Sequence, residues 1–194
     1  MNNPLSFIKK DIVLASKSPR RQQLLKDLGL NFSVVLKEVD EVYPSNLKKQ
    51  EVALYLSKLK ADAFLPDLKE NQLVITSDTI VCLNDKIIGK PKDRDDAFNM
   101  LSDLSGKMHE VVTAVTLTSI EKQVSFYVTT QVYFKTLSNF EIDYYINHYK
   151  PFDKAGSYGI QEWIGYIGIE KIIGSYFNVM GLPVKELYDE LERF

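Results

Sequence analysis

The sequence predicts an α/β fold in which a mixed sheet is flanked by helices, and three observations predict it. Short β-type runs alternate with helical patterns through the first half of the chain. Two long segments of alternating polarity follow, joined by a short polar link as in an antiparallel hairpin. The 194 residues are 45% apolar and 26% charged, enough to bury a core and to solvate a surface. One domain over residues 1–194, with a bilobal build, is the expectation.

The elements follow in order. Ile12-Val13-Leu14-Ala15 reads as a strand, and Pro19 to Leu28 as a helix with Leu24, Leu25 and Leu28 on one face, closed by Gly29. Phe32 to Leu36 is a second strand. A longer helix carries Val52, Tyr55, Leu56, Leu59 and Ala63 as its apolar stripe, with Lys60 beside it. Leu73-Val74-Ile75 and Thr79 to Leu83 read as buried strand interrupted by Asp78, and Asn84-Asp85 turns the chain into Lys86-Ile87-Ile88. Arg94 to Leu104 is a helix with Ala97, Met100, Leu101 and Leu104 inward, stopping at Ser105-Gly106. Val111 to Thr118 and Val124 to Phe134 form the hairpin. A polar and aromatic helix runs from about Asn139 to Tyr149. The Gly-rich region Asp153 to Gly181 follows, and an amphipathic helix from about Val184 to Glu192 ends the pattern.

Composition excludes several classes. A formal net charge of -2 lacks the basic footprint of a sequence-independent nucleic-acid binder, though a local Lys/Arg cluster stays open. The single cysteine, Cys82, builds neither a disulfide nor a cysteine metal site within one chain. Met1-Asn2-Asn3-Pro4 shows no leader pattern, and no run reaches membrane-spanning length. The expectation is a soluble, cytoplasmic protein with no nucleic-acid or membrane partner.

Four segments could carry chemistry. In Ala15-Ser16-Lys17-Ser18-Pro19-Arg20-Arg21 a strand meets a helix, with Ser18 as N-cap and Pro19 in the first turn. Backbone N–H groups and the positive end of the helix dipole then point at one spot, and the arginines can grip phosphate oxygens with two N–H groups at once. A plain helix start with solvated arginines explains the same residues equally well. Asp78, set between apolar runs, needs a cation, a metal or donors if it is buried, unless it merely caps a turn. Gly89-Lys90-Pro91-Lys92-Asp93 offers two amines and a carboxylate on a stiff loop, with Asp93 also a helix cap. Asp153 to Gln161 is rich in small residues, as where backbone approaches a ligand or simply turns, and Gln161 could read a base edge. His109 and His148 lack further ligands nearby and read as framework, as does the tyrosine helix with Tyr144, Tyr145 and Tyr149, in core or dimer surface.

Taken together, Leu14 to Arg21, Ser77-Asp78-Thr79, Gly89 to Asp93, His109-Glu110-Val111, Lys154 to Gln161 and Gly181-Leu182-Pro183 resemble the Maf family in order and spacing. The resemblance implies two lobes with a central cleft, a fold related to the inosine triphosphate pyrophosphatases (Maf/Ham), and a homodimer. It also implies hydrolysis of a nucleoside triphosphate to monophosphate and pyrophosphate, as house-cleaning of the nucleotide pool, with an association with septum formation. Carried over, Ser16, Arg20, Arg21, Lys60 and Lys90 bind phosphate. Asp78 is the proton acceptor, and Glu41, Asp78 and Asp93 hold a divalent cation, Mg²⁺ or Mn²⁺. Asp40 stands beside Glu41, so which of the two serves stays open. Arg20, Thr79 and Gln161 match the branch that acts on dTTP and UTP, with modified pyrimidine nucleotides within reach. Two departures stand out: Ser77 in place of the usual alanine, and Glu162-Trp163 where a glycine is common, a change able to reshape the base pocket. The alternatives are a non-catalytic nucleotide-binding regulator of septation and a pyrophosphatase for modified purine triphosphates.

Overall fold

The computed structural model describes residues 4–194; Met1 to Asn3, part of the N-terminal segment read above, lie outside the described residues. Along the chain run β1 (Asp11–Leu14), α1 (Pro19–Asp27), β2 (Phe32–Val34), α2 (Gln50–Asp62), β3 (Gln72–Leu83), β4 (Lys86–Ile88), α3 (Arg94–Leu104), β5 (Met108–Thr118) and β6 (Gln123–Phe134). Then come α4 (Asn139–Tyr149), α5 (Trp163–Gly168), β7 (Ile169–Ile173), α6 (Tyr176–Met180) and α7 (Val184–Arg193). The strands form one mixed sheet in the order β2-β1-β3-β5-β6-β7, with β4 paired to β3. β1 is parallel to both β2 and β3, whereas β3–β4 and β6–β7 are antiparallel. No helix among the described residues is long and apolar enough to cross a membrane.

The chain divides into two compact units, the first comprising residues 1–78, 113–128 and 181–194. Here β1 sits between β2 and β3, and Ile12, Val13 and Leu14 are buried because both edges of that strand are paired. α1 forms for the reasons its sequence gives. Ser18 is extended and accepts from the Arg21 N–H at 3.5 Å, a long contact; Pro19 lies in the first turn, and Leu24 and Leu25 fill the core. Gly29, at φ 86°, ends it in a backbone region that a Cβ would strain.

α2 buries Val52, Ala53, Leu56, Ser57 and Ala61, while Tyr55 is exposed and Leu59 half-buried, so its inner face is turned from the stripe the spacing predicts. The cause is a chain of hydroxyls, of which those of Ser57, Thr76 and Thr116 are buried. Thr76 Oγ1 donates to the Ser57 carbonyl at 2.7 Å, Ser57 Oγ meets Thr116 Oγ1 at 3.0 Å, and that oxygen meets Ser125 Oγ at 2.9 Å. Satisfied hydroxyls can face inward, and apolar pattern alone does not count them.

The second unit comprises residues 79–112 and 129–180. Its core gathers Val81 and Ile88 with Leu101 and Leu104 from α3, and Ile142 and Ile146 from α4. α4 starts with a full capping box: Ser138 Oγ accepts from the Glu141 N–H at 3.3 Å, and Glu141 Oε2 accepts from the Ser138 N–H at 2.8 Å.

Three expectations are corrected. Asp78 does not interrupt the strand: β3 runs unbroken from Gln72 to Leu83, because the Asp78 carboxylate is paired with a cation. β2 ends at Val34, since this edge strand is exposed along Val34, Val35 and Leu36 and has no second neighbour to lengthen it. The Gly-rich tail holds α5, β7 and α6, three short elements that the density of glycine conceals.

Candidate active site

In the first unit, two segments leave the same ends of the parallel strands β1 and β2, and the neighbouring β3 runs on past those ends through Asp78. The register Leu14↔Ile75 sets Ser16 level with Ser77 two residues further on, and Ala15 N–H still bonds the Ile75 carbonyl at 2.9 Å. Beyond β1 lies Ser16 to Arg21, beyond β2 the loop that carries Glu41, and β3 itself carries Asp78. Ligands of open α/β sheets gather outside the carboxyl ends of parallel strands, where loops converge and backbone groups are unspent.

The electrostatic centre is Lys60, near the end of α2. Its Nζ lies 2.6 Å from Asp78 Oδ1 and 3.0 Å from Glu41 Oε2, so one ammonium joins two carboxylates. The Asp78 side chain is 11% exposed and that of Glu41 50%, so the Asp78 contact is the shielded one, where Coulomb attraction is stronger. The carboxylate on Lys60 is that of Glu41 rather than of its neighbour Asp40.

Arg21 ties the loop to β3. Its Nε donates to the Gly181 carbonyl at 2.8 Å and its Nη1 to the Ser77 carbonyl at 2.7 Å, with Ser16 Oγ a further 3.5 Å contact. Ser77 Oγ also donates to the Gly181 carbonyl, at 3.3 Å. Burial lowers the Arg21 pKa from its ordinary value; Asp78 and Glu41 pull it back up, and Arg20 adds to the lowering. Ser16 is buried, its Oγ accepting from the Ser18 N–H at 3.2 Å, which shapes the turn into the helix. Arg20 is half-buried at the second position of α1. The structure therefore brings Ser16, Arg21, Glu41, Lys60 and Asp78 into one connected set. The carbonyl of Gly181 was not expected as a member; only its place in the Gly181-Leu182-Pro183 motif signalled it.

Thr79, Lys90, Asp93 and Gln161 belong to the second unit. Thr79 is half-buried in β3, and Lys90 is exposed on a loop whose Gly89 carbonyl accepts from the Gly156 N–H at 3.0 Å, so that the lysine loop and the Gly-rich segment are neighbours. Gly156 has φ 69° and lies against Val81, where a Cβ would come within 3.0 Å of a methyl. Asp93 caps α3, its Oδ1 accepting from the Asp96 N–H at 2.9 Å. Gln161 is half-buried, and its Oε1 is buried without a hydrogen-bond partner. His109 is framework: Nε2 lies 2.7 Å from the Tyr158 hydroxyl, and its ring packs edge-on against Phe134.

Among the described residues no three His, Cys, Asp or Glu side chains gather at metal-ligating spacing. Glu41 and Asp78 do share one cation, the Lys60 ammonium. Two hard oxygen donors of this kind fit Mg²⁺ or Mn²⁺, which take one or two carboxylates and complete their shell with substrate phosphate and water.

A mixed α/β protein with two basic side chains, a buried carboxylate and a helix start at the ends of parallel strands belongs to the class built to handle anionic, phosphate-bearing ligands. The family model described as "Maf-like protein" matches residues 11–194, and the chain belongs to that family. A dTTP/UTP pyrophosphatase of Christiangramia forsetii is 54% identical over 182 residues, covering 94% of this chain and 93% of that one. A dTTP/UTP pyrophosphatase of Phocaeicola vulgatus is 54% identical over 186 residues, covering 95% and 96%. A solved dITP/XTP pyrophosphatase of Mycobacterium abscessus gives a TM-score of 0.41 at 16% identity, over 64% of this chain and 74% of that one.

Proposed function

We propose that this chain is a nucleoside triphosphate pyrophosphatase that hydrolyses dTTP and UTP to the monophosphate and pyrophosphate. The observation that carries the reading is Lys60 shared between Asp78 and Glu41, beside a loop that Arg21 fastens to the neighbouring strand. The names of the relatives at 54% identity support the substrate class.

The reaction breaks the bond between the α-phosphorus and the oxygen bridging to the β-phosphate. Water supplies the new oxygen on the α-phosphorus, and the pyrophosphate leaves with the bridging oxygen. Arg20, Ser16 and Lys90 bind the phosphates, and Arg21 joins them or holds the loop in place. Charge on the leaving pyrophosphate calls for such cationic groups. Lys60 engages Oδ1 of Asp78, and Oδ2 is the atom we assign to take the proton from water. An ordinary aspartate is a weak base toward free water at neutral pH. A divalent cation, when bound, acidifies its water and polarises the scissile group. Glu41 and Asp78 would hold that cation with substrate phosphate oxygens; Asp93, the third residue the family resemblance assigns, keeps its cap role beside any such task.

Gln161 is the proposed reader of the base. A carboxamide both donates and accepts, as a pyrimidine edge does. Arg20 and Thr79 complete the expected specificity set. The same reading makes the protein a cytoplasmic homodimer, whose mass sedimentation would give; exposed Phe140 and Tyr166 are apolar surface a second chain could cover.

The test is a panel of canonical and modified triphosphates assayed for pyrophosphate release with Mg²⁺ and with Mn²⁺. We expect dTTP and UTP to lead, and Asp78→Asn to bind nucleotide yet turn over roughly a hundred- to ten-thousandfold more slowly, as expected for loss of a proton acceptor. Normal turnover in Asp78→Asn would remove Asp78 from the chemistry, and a preference for purine triphosphates would favour the alternative substrate class.

A further inference from the structure

Gln161 occupies the third position of a tight turn, closed by the Glu162 N–H donating to the Gly159 carbonyl at 3.0 Å. One residue outside the turn secures both of its ends. The Tyr145 hydroxyl accepts from the Gly159 N–H at 3.0 Å and donates to Glu162 Oε2. Tyr145 is fully buried, and burial first, then the hydrogen bond to Glu162, raises its pKa and keeps the hydroxyl a donor. Glu162 Oε1 lies 3.2 Å from Nζ of Lys154, which is buried and whose other partner is Asp153 Oδ1 at 2.7 Å.

The carboxylate also lies over Gly159: a Cβ there would come within 2.8 Å of the carboxylate carbon. The second position of the turn is fixed as well. Ile160 is buried, and its carbonyl oxygen sits where a Cβ on Gly165 would be, only 1.8 Å from that ideal position. The backbone on both sides of Gln161 is thus clamped, and the clamp runs through the Glu162 carboxylate.

We propose that Glu162 is a positioning residue for Gln161: its carboxylate, bridging Lys154 and Tyr145 across Gly159, fixes the turn from which the Gln161 carboxamide reads the pyrimidine. This rests on the assignment of base reading to Gln161. A carboxamide held at one angle discriminates between base edges, whereas one free to rotate spends part of its binding energy on ordering itself. Glycine at position 162 could make neither contact.

The experiment measures kcat and KM for dTTP, UTP and dGTP in the full-length wild type, Glu162→Ala, Tyr145→Phe, Gln161→Ala and the double variant Gln161→Ala/Glu162→Ala, with thermal unfolding of each. We expect Glu162→Ala to lower kcat/KM for dTTP and UTP about tenfold through KM, with kcat within about twofold and the preference over dGTP reduced. Tyr145→Phe, which keeps the ring and removes only the hydroxyl, should shift the same preference in the same direction by about threefold, so the idea stays testable if Glu162→Ala folds poorly. In the Gln161→Ala background, Glu162→Ala should change the preference no further. If Gln161→Ala alters the preference while Glu162→Ala and Tyr145→Phe leave it at the wild-type ratio, the positioning role fails alone. If Gln161→Ala itself leaves the preference unchanged, the base-reading assignment fails and takes the positioning role with it. A loss in Glu162→Ala equal for all three nucleotides would overturn it as well.

Discussion

Arg21 and Arg20 are neighbours in sequence and unlike in situation. Arg21 donates from Nε and Nη1 to two backbone carbonyls, those of Gly181 and Ser77, an arrangement that needs the planar fork of a guanidinium. An ammonium reaches one such acceptor and abandons the other. Arg21→Lys should therefore lower stability by about 1.5–3 kcal/mol, the net worth of one charged hydrogen bond, as well as activity. Arg20→Lys should lower activity by replacing a forked donor with a point charge. The urea midpoint of Arg21→Lys checks the first of these, and a midpoint equal to that of wild type would show that Arg21 does not hold the loop. The loop, the arginine pair and Asp78 stood out in the sequence as candidates, but a plain helix start and a turn cap explained the same residues equally simply, and only the order and spacing of all the motifs drew them together. The carbonyl partners of Arg21 were not legible there, since every residue has a carbonyl and only the fold selects two of them.

At the scale of elements, the hydroxyl chain from Ser125 through Thr116 and Ser57, with Thr76 bonded to the Ser57 carbonyl, fastens α2 to the sheet three residues before Lys60. Thr76→Val keeps shape and removes the donor, and should cost about 1 kcal/mol. Ser57→Ala should cost a similar amount, and the two together less than the sum, since they share one network. Chemical denaturation of the three variants reads the coupling, and strict additivity would mean that the hydroxyls act independently. This network explains why the face of α2 was misjudged from spacing: Ser57 counts as polar in a pattern and as interior in the fold. α4, by contrast, was legible to the residue, because Ser138 and Glu141 spell out its start and Pro151 lies just beyond its end. The continuity of β3 through Asp78 was hidden for the opposite reason, as its partner Lys60 lies 18 positions earlier in sequence.

For the molecule as a whole, one part of the response to acid follows from His109. It is buried beside Tyr158 and Phe134, and burial lowers its pKa from 6.5 to about 4, so the folded protein keeps it neutral. The unfolded chain takes up a proton near pH 6.5 and the folded one only near pH 4. Stability from this residue is thus complete above pH 6.5, falls as the pH drops through that window, and levels off below it. The loss amounts to about 3.5 kcal/mol over the full window, from roughly 1.4 kcal/mol per pH unit. His109→Gln should flatten that part of the profile, which urea midpoints at about pH 7 and about pH 5 would reveal. An unchanged slope would place the acid sensitivity elsewhere.

The path of the chain through its two compact units carries one more consequence. The backbone passes from one to the other four times, after Asp78, Val112, Val128 and Met180. Three of those passages fall inside β3, β5 and β6 rather than in loops. No single cut in the gene can therefore release either unit as an intact piece. A fragment covering residues 1–78 would lack 113–128 and the last helix, and any contiguous piece that contains the whole second unit carries residues 113–128 of the first inside it. The two units must be inherited, expressed and swapped between relatives together.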